Sequence, residues 1–112
     1  MKPSEYTHTP IHIPAPLRSY AGGQSTLIVK GRSVGEALSD LIRQFPALKQ
    51  HLFNEEGILR TFVNIYRNDE DIRYLRHTDT KLRENDELTI VPSIAGGGAD
   101  SGTLQSINYP ER

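Results

Sequence analysis

Three consecutive glycines, Gly96, Gly97 and Gly98, are the part of this sequence with the most recognisable chemistry. Glycine lacks a Cβ, so a glycine run can enter a narrow channel and adopt backbone angles that are closed to other residues. Neither a helical pattern nor a Lys-Ser/Thr pair follows the run, so it does not fit a phosphate-binding loop. Apart from a segment that enters a narrow channel, the glycine run can be interpreted as a flexible linker to the polar C-terminal tail.

The side chains offer little that could catalyse a reaction or bind a metal. The sequence contains no cysteine, which excludes disulfides, a cysteine nucleophile and thiolate metal sites. His8 and His12 have the spacing of a helical metal pair, but Pro10 lies between them in an extended pattern, and metal sites need three or four convergent ligands. No nucleophile, base and orienting group form a recognisable set. We therefore expect neither an enzyme nor a metal site.

The acidic segment 68–71, with the sequence Asn-Asp-Glu-Asp, lacks the glycine and the terminal glutamate of a calcium-binding loop. Its residue types favour a solvated turn. A contribution of negative charge to a basic partner is the second interpretation.

Composition excludes several classes of function. The chain has 112 residues, and 13 lysines and arginines nearly balance 14 acidic residues, so no overall field attracts nucleic acid or anionic lipid. No stretch approaches the roughly 20 apolar residues that span a bilayer, and no signal peptide is evident. We expect one cytoplasmic domain with neither a nucleic-acid nor a membrane partner.

The N-terminal part of the chain predicts a flexible lead-in followed by a β-hairpin. Residues 1–10 are polar and contain two prolines. Residues 11–17 alternate between apolar and other side chains, as a first strand does, and their prolines favour positions where backbone N–H groups are unused. A turn over residues 19–24 contains Gly22 and Gly23, and residues 25–31 complete the hairpin.

One helix is predicted in the middle of the chain. Ser33 and Glu36 have the spacing of a capping box, which satisfies free backbone donors at a helix start. Apolar residues then recur every three or four positions up to Pro46, which ends the pattern. A short turn containing Leu48, Leu52 and Phe53 is expected after it.

The C-terminal half predicts three further strands, over residues 60–67, 72–75 and 87–93, with an irregular segment over residues 78–86. Two hairpin-like pairs then flank one helix, so the helix must cover one face of a single sheet. The sequence therefore predicts an α+β protein of the β-grasp class, with a mixed sheet of about five strands and one main helix.

The chain resembles the ThiS/MoaD family of bacterial sulfur carriers, small relatives of ubiquitin, over residues 11–97. The resemblance is carried by residues 13–18 and 22–24, by residues 60–73, and by residues 86–97, in which a final strand leads directly into Gly96 and Gly97. It implies that the carrier has no cofactor of its own and that an E1-like (ThiF/MoeB-type) enzyme uses ATP to adenylate the Gly97 carboxylate. Sulfur then replaces AMP, and the thiocarboxylate serves an acceptor such as a cysteine synthase.

Two other functions remain open at this stage. A ubiquitin-like modifier, joined through Gly97 to target lysines, needs the same adenylation and the same free glycine. A noncatalytic interaction module is the third candidate, and it makes no use of the two glycines. The resemblance favours the carrier, in the biosynthesis of cysteine or a related thiol metabolite.

Residues 98–112 depart from the family pattern, in which the chain normally ends at the second glycine. A free α-carboxyl group has a pKa of about 3.3–3.7 and is an anion at neutral pH, whereas an amide carbonyl is not a comparable nucleophile. The resemblance therefore implies a precursor whose tail a JAMM-type metallopeptidase removes between Gly97 and Gly98. A cut after Gly98 is the alternative.

Strand parity predicts a surface for the partner enzymes. If Val63, Ile65, Leu88 and Ile90 face the helix, the outward residues that lie on the open face of the sheet are Phe62, Tyr66, Thr89 and Val91. Ile94 continues this surface towards the glycines. The alternative is that the lead-in or the tail partly covers Phe62 or Tyr66.

Overall fold

The computed structural model describes residues 7–92, which form one mixed five-stranded sheet. The strand order is β2-β1-β5-β3-β4, in which β1 and β5 are parallel and the other neighbours are antiparallel. The strands are β1 (Thr7–His12), β2 (Thr26–Gly31), β3 (Val63–Arg67), β4 (Glu70–Asp71) and β5 (Leu88–Pro92). The predicted α+β, β-grasp class is thereby confirmed, with the last strand at the centre of the sheet.

The main helix, α1, spans Val34–Gln44 and begins as its sequence predicts. The Ser33 hydroxyl accepts a hydrogen bond from the Glu36 backbone N–H at 3.2 Å. The Glu36 carboxylate reaches one residue further than in a standard capping box and accepts from the Arg32 N–H at 2.8 Å. These bonds satisfy donors at the helix start and fix the corner between β2 and α1.

The helices pack against the sheet through one hydrophobic core. From α1, the buried residues are Val34, Ala37, Leu38 and Leu41. The short helix α2 (Lys49–Leu52) adds Leu52 and follows a 3-10 turn over Pro46–Leu48, as the predicted short turn requires. The strand residues in the same core include Ile11, Val29, Val63, Ile65, Leu88 and Ile90.

Side chains of α1 close the free edge of β2. The Lys30 backbone N–H donates to Asp40 Oδ2 at 3.0 Å, and the Ile28 carbonyl accepts from Gln44 Nε2 at 3.0 Å. An edge strand with unpaired groups is a template for pairing with another chain. These two bonds therefore remove donor and acceptor groups that would otherwise be offered to a second strand.

The N-terminal boundaries differ from the prediction. β1 begins at Thr7, so residues 7–10 belong to the sheet and not to a lead-in, and residues 15–21 form a 3-10 helix (Ala15–Ala21) instead of the end of a strand. Pro10 has no backbone N–H to donate to a neighbouring strand. It is tolerated because only Ile11 and His12 of β1 pair with β5, so the edge of β1 at Pro10 that faces β5 lies outside the hydrogen-bonded register. Residues 1–6 lie outside the described part of the chain.

The predicted edge strand over residues 72–75 is also wrong. β4 is the two-residue strand before it, and Ile72–Tyr74 is a 3-10 turn, because the Asp71 carboxylate accepts from the Arg73 N–H at 2.9 Å and caps the turn. β3 is shorter than predicted at its start, since it begins at Val63. Buried Ile72 anchors the turn to the core.

Candidate functional site

The glycines predicted to carry the chemistry, Gly96, Gly97 and Gly98, lie outside the described residues, as does Ile94. The described chain ends with β5 at Pro92, and Gly97 is the fifth residue after it. Five residues of chain span at most about 18 Å. The position of β5 therefore restricts how far from the sheet Gly97 can be.

β5 is held on both sides by hydrogen-bonded neighbours. On one side, Leu88 and Thr89 are in register with Ile11 and His12 of β1. On the other side, β3 pairs with all five residues of β5, from Arg67 opposite Leu88 to Val63 opposite Pro92. The first two residues of β5 are thus paired on both sides, and its last three residues, which lead towards the glycines, are paired with β3.

The open face of the sheet contains three of the predicted partner residues. Tyr66 lies opposite Thr89, and both are half-buried, while Val91 is 38% exposed and lies opposite Asn64. The inward residues predicted from parity, Val63, Ile65, Leu88 and Ile90, are all buried in the core. The parity prediction is confirmed for β3 and β5. The use of this face by a partner stays a prediction.

Phe62 does not follow the parity argument. It precedes the first residue of β3, is half-buried and packs against the hydrophobic core. Strand alternation orients side chains only within the strand. Phe62 therefore contributes to the core, and its prediction as an outward residue on the open face is wrong.

Arg73 supports the beginning of β3 beside the exit of β5. Its Nη2 donates to the Thr61 carbonyl at 3.1 Å and to Asn64 Oδ1. Asn64 is the register partner of Val91, so the Arg73 guanidinium group binds the side chain that lies beside the exposed valine. Sequence reasoning missed this role because it depends on a contact between two turns.

The structure does not bring the side chains of His8 and His12 together as a metal pair. His8 and His12 both lie in β1, where four residues of strand separate their Cα atoms by about 13 Å. His12 Nδ1 is 3.1 Å from Thr26 Oγ1, and its Nε2 is 2.8 Å from Glu87 Oε1. Among residues 7–92, no group of three or more His, Asp or Glu side chains could hold a metal ion.

In the acidic segment 68–71, Asn68 and Asp69 form the turn that leads into β4, and Glu70 and Asp71 are β4 itself. Asn68 adopts a positive φ of 58°, and its side chain joins the turn to the start of β5. Its Oδ1 accepts from the Glu87 N–H at 3.0 Å, and its Nδ2 donates to Asp86 Oδ1 at 2.9 Å. The predicted turn is therefore confirmed for Asn68 and Asp69, whereas Glu70 and Asp71 belong to a strand.

No helix in the described part of the chain is long and apolar enough to cross a membrane.

Comparison with known proteins identifies the family. The ThiS family model matches residues 11–97. The chain is 37% identical over 89 residues to the sulfur carrier protein CysO of Mycobacterium tuberculosis, which covers 78% of this chain and 96% of CysO.

Several solved structures are similar to this fold, and two of them are given as examples. A chain of the BexX/CysO complex of Amycolatopsis orientalis superposes with a TM-score of 0.72 at 36% identity, covering 80% of this chain and 99% of that one. The small archaeal modifier protein 1 of Methanosarcina acetivorans gives a TM-score of 0.75 at 32% identity, covering 82% and 98%. The family predicted from the sequence is confirmed. The chain belongs to the ThiS family of ubiquitin-like, β-grasp sulfur carriers, which are small carrier proteins and not enzymes.

Proposed function

We propose that this chain is the precursor of a sulfur carrier whose working group is the carboxylate of Gly97. The family match ends at residue 97, and β5 at the centre of the sheet ends five residues before it. That the family match ends at residue 97, shortly after β5, is the observation that supports Gly97, and not Gly98, as the mature C-terminus. Hydrolysis of the Gly97–Gly98 peptide bond by a JAMM-type metallopeptidase provides the free carboxylate.

The chemistry then takes place on a partner enzyme. A carboxylate oxygen of Gly97 attacks the α-phosphorus of ATP, and pyrophosphate leaves from an E1-like (ThiF/MoeB-type) enzyme. Hydrosulfide (HS⁻) attacks the acyl carbon, AMP leaves with the acyl C–O bond broken, and loss of the S–H proton gives the thiocarboxylate. Because the first step consumes ATP, the proposal places the carrier in the cytoplasm.

The proposed acceptor of the sulfur is an enzyme such as a cysteine synthase, which makes cysteine or a related thiol metabolite. Likeness to CysO supports this choice. A protein modifier that is conjugated through Gly97 to target lysines is the second candidate, and the likeness to a small archaeal modifier protein supports it. The two functions differ in product, since one leaves a thiocarboxylate and the other leaves an isopeptide bond on a target lysine.

The mature end is tested by pyrophosphate exchange with the adenylating enzyme of the same organism. Three chains are compared, ending at Gly97, at Gly98 and at Arg112. We expect ATP-dependent exchange only with the chain that ends at Gly97. If only the chain that ends at Gly98 supports exchange, the cut lies one residue later than proposed. If the full chain supports exchange equally well, adenylation does not require processing.

A further inference from the structure

The end of β5 lies beside a turn that is attached to the short helix α2. β3 and β5 are antiparallel, so Pro92, the last residue of β5, is opposite Val63, the first residue of β3. The turn before β3 is closed by a hydrogen bond of 3.0 Å from the Val63 N–H to the Arg60 carbonyl. The Arg60 N–H in turn donates to the carbonyl of Leu52, the last residue of α2, at 2.9 Å. β5 therefore ends close to α2.

A groove of about 590 Å³ lies between this turn and α2. Its lining includes Ala47, Lys49, Phe53, Glu55 and Arg60. Phe53 packs against the hydrophobic core and is half-buried, so it provides an apolar wall, and Ala47 is exposed. Clefts of about 300–1,000 Å³ hold drug-sized ligands, and the groove is therefore large enough for a few residues of extended chain.

Lys49 is the cation of the groove that is available to a ligand. Within residues 7–92, its ammonium group takes part in no ion pair and no hydrogen bond. Arg60 is already engaged, since its Nε donates to the Gln50 carbonyl at 2.9 Å. Glu55 is the one acid among the described residues that line the groove, and it forms no ion pair with Lys49. A negatively charged group of a ligand in the groove would therefore be bound by Lys49.

The segment of this chain that can reach the groove is residues 93–97. Five residues of chain separate Gly97 from the end of β5, and they span at most about 18 Å. The segment offers one large apolar side chain, Ile94, and ends in two glycines that add no bulk. After processing it carries a C-terminal carboxylate, which is an anion at neutral pH. Its apolar side chain matches Phe53, and its terminal anion matches Lys49.

We propose that the groove is a binding site for the mature C-terminal segment of this same chain, in which Lys49 holds the Gly97 carboxylate while no enzyme is bound. This inference rests on the proposed function for the position of the mature end. A thiocarboxylate carries the same single negative charge, so the site also takes the sulfur-loaded end. In the precursor the Gly97 carbonyl belongs to a peptide bond and has no charge, so the contact with Lys49 arises only after processing.

The test is photo-crosslinking of the chain that ends at Gly97, without any partner enzyme. p-Benzoylphenylalanine replaces either Ala47 in the groove or Tyr74, the matched control. Tyr74 is 84% exposed and follows Arg73, which binds the turn before β3, so an unbound segment would meet both probes. We expect the tryptic peptide of residues 84–97 to crosslink to position 47 at least about fivefold more than to position 74. Equal yields at the two positions would overturn the proposal.

Charge is tested with two matched variants. Lys49→Glu is expected to lower the crosslink yield at position 47 about twofold or more, as loss of an exposed ion pair does. Lys81→Glu makes the same charge change at an exposed lysine outside the groove and is expected to leave the yield unchanged. Equal yields from these two variants contradict the inference. Thermal unfolding checks each chain, and Lys49→Gln replaces Lys49→Glu if the reversal unfolds it.

The full chain, which has no carboxylate at Gly97, is expected to give a lower yield at position 47 than the chain that ends there, and a higher yield would count against the proposal. If the crosslinks join two chains and disappear on dilution, the occupant is a second copy and the proposal is overturned. If the chain ending at Gly97 supports no pyrophosphate exchange but still crosslinks at position 47, the proposed function fails and the binding site stands.

Discussion

His51 makes the stability of the fold depend on pH. It lies in α2, and its ring centroid is 4.1 Å from that of Tyr20. Burial lowers the pKa of His51 below its ordinary value of 6.5, and the charge of Arg60 acts in the same direction. The unfolded chain therefore binds this proton more tightly than the folded chain.

We expect the free energy of unfolding to fall as the pH decreases from 6.5 towards the lowered pKa of His51. His51→Gln removes the titrating group, so its unfolding free energy should change less over this window. Urea denaturation at several pH values measures both chains. His8→Gln, a change at an exposed histidine, is the control, and identical slopes for His51→Gln and the unchanged chain would contradict the prediction.

At the scale of single residues, the sequence correctly predicted the roles that depend on local spacing along the chain. Ser33 and Glu36 are examples, because a capping interaction is set within four residues. The role of Arg73 was not predicted, because its contacts join segments that are distant in the chain, and Phe62 was placed on the wrong face because it lies outside the strand.

At the scale of elements, α1 and β2 depend on each other through Asp40. Its carboxylate accepts from the Lys30 N–H at 3.0 Å, from Gln44 Nε2 at 3.1 Å and from Arg43. Burial alone would raise the pKa of Asp40, but these donors together outweigh burial and hold the pKa below its ordinary value of 3.8.

Asp40→Ala is expected to lower the free energy of unfolding by about 1–3 kcal/mol, because it removes the charged acceptor of the hydrogen bond from the Lys30 N–H at the sheet edge. Urea denaturation at neutral pH measures this loss. Since the folded pKa is lowered, the contribution is present above pH 3.8 and is lost as the pH falls further.

Ser39→Ala is the control for Asp40→Ala, because Ser39 is an exposed neighbour in the same helix. A loss of equal size in the two variants would mean that the effect belongs to the helix and not to the bond with β2.

The segment from Ile13 to Ala21 has a sequence pattern that fits both a strand and a helix. Ile13, Leu17 and Ala21 are all buried and are spaced four apart, so part of the apparent strand has helical spacing as well. A short run can fit both periods, and only the packing of the 3-10 helix against the core decides between them. The longer pattern of α1 has no such ambiguity.

At the scale of the whole molecule, the core lies upstream of the predicted processing site. Within residues 7–92, the buried hydrophobic residues run from Ile11 to Ile90, and β5 ends at Pro92. Removal of residues 98–112 deletes none of these contacts.

We therefore expect the chain that ends at Gly97 to unfold with a free energy within about 0.5 kcal/mol of that of the full chain, as for changes away from the core. Chemical denaturation of the two chains measures this difference. A truncated chain that is destabilised by several kcal/mol would show that the tail belongs to the folded domain.

The central claim is that Gly97 becomes the sulfur-bearing end of the mature protein. The most direct measurement is the intact mass of the protein isolated from its native cells while the pathway is active. We predict a chain that ends at Gly97, with a fraction whose mass is increased by the exchange of one oxygen for sulfur. Finding only chains that retain residues 98–112, without this increase, would contradict the account.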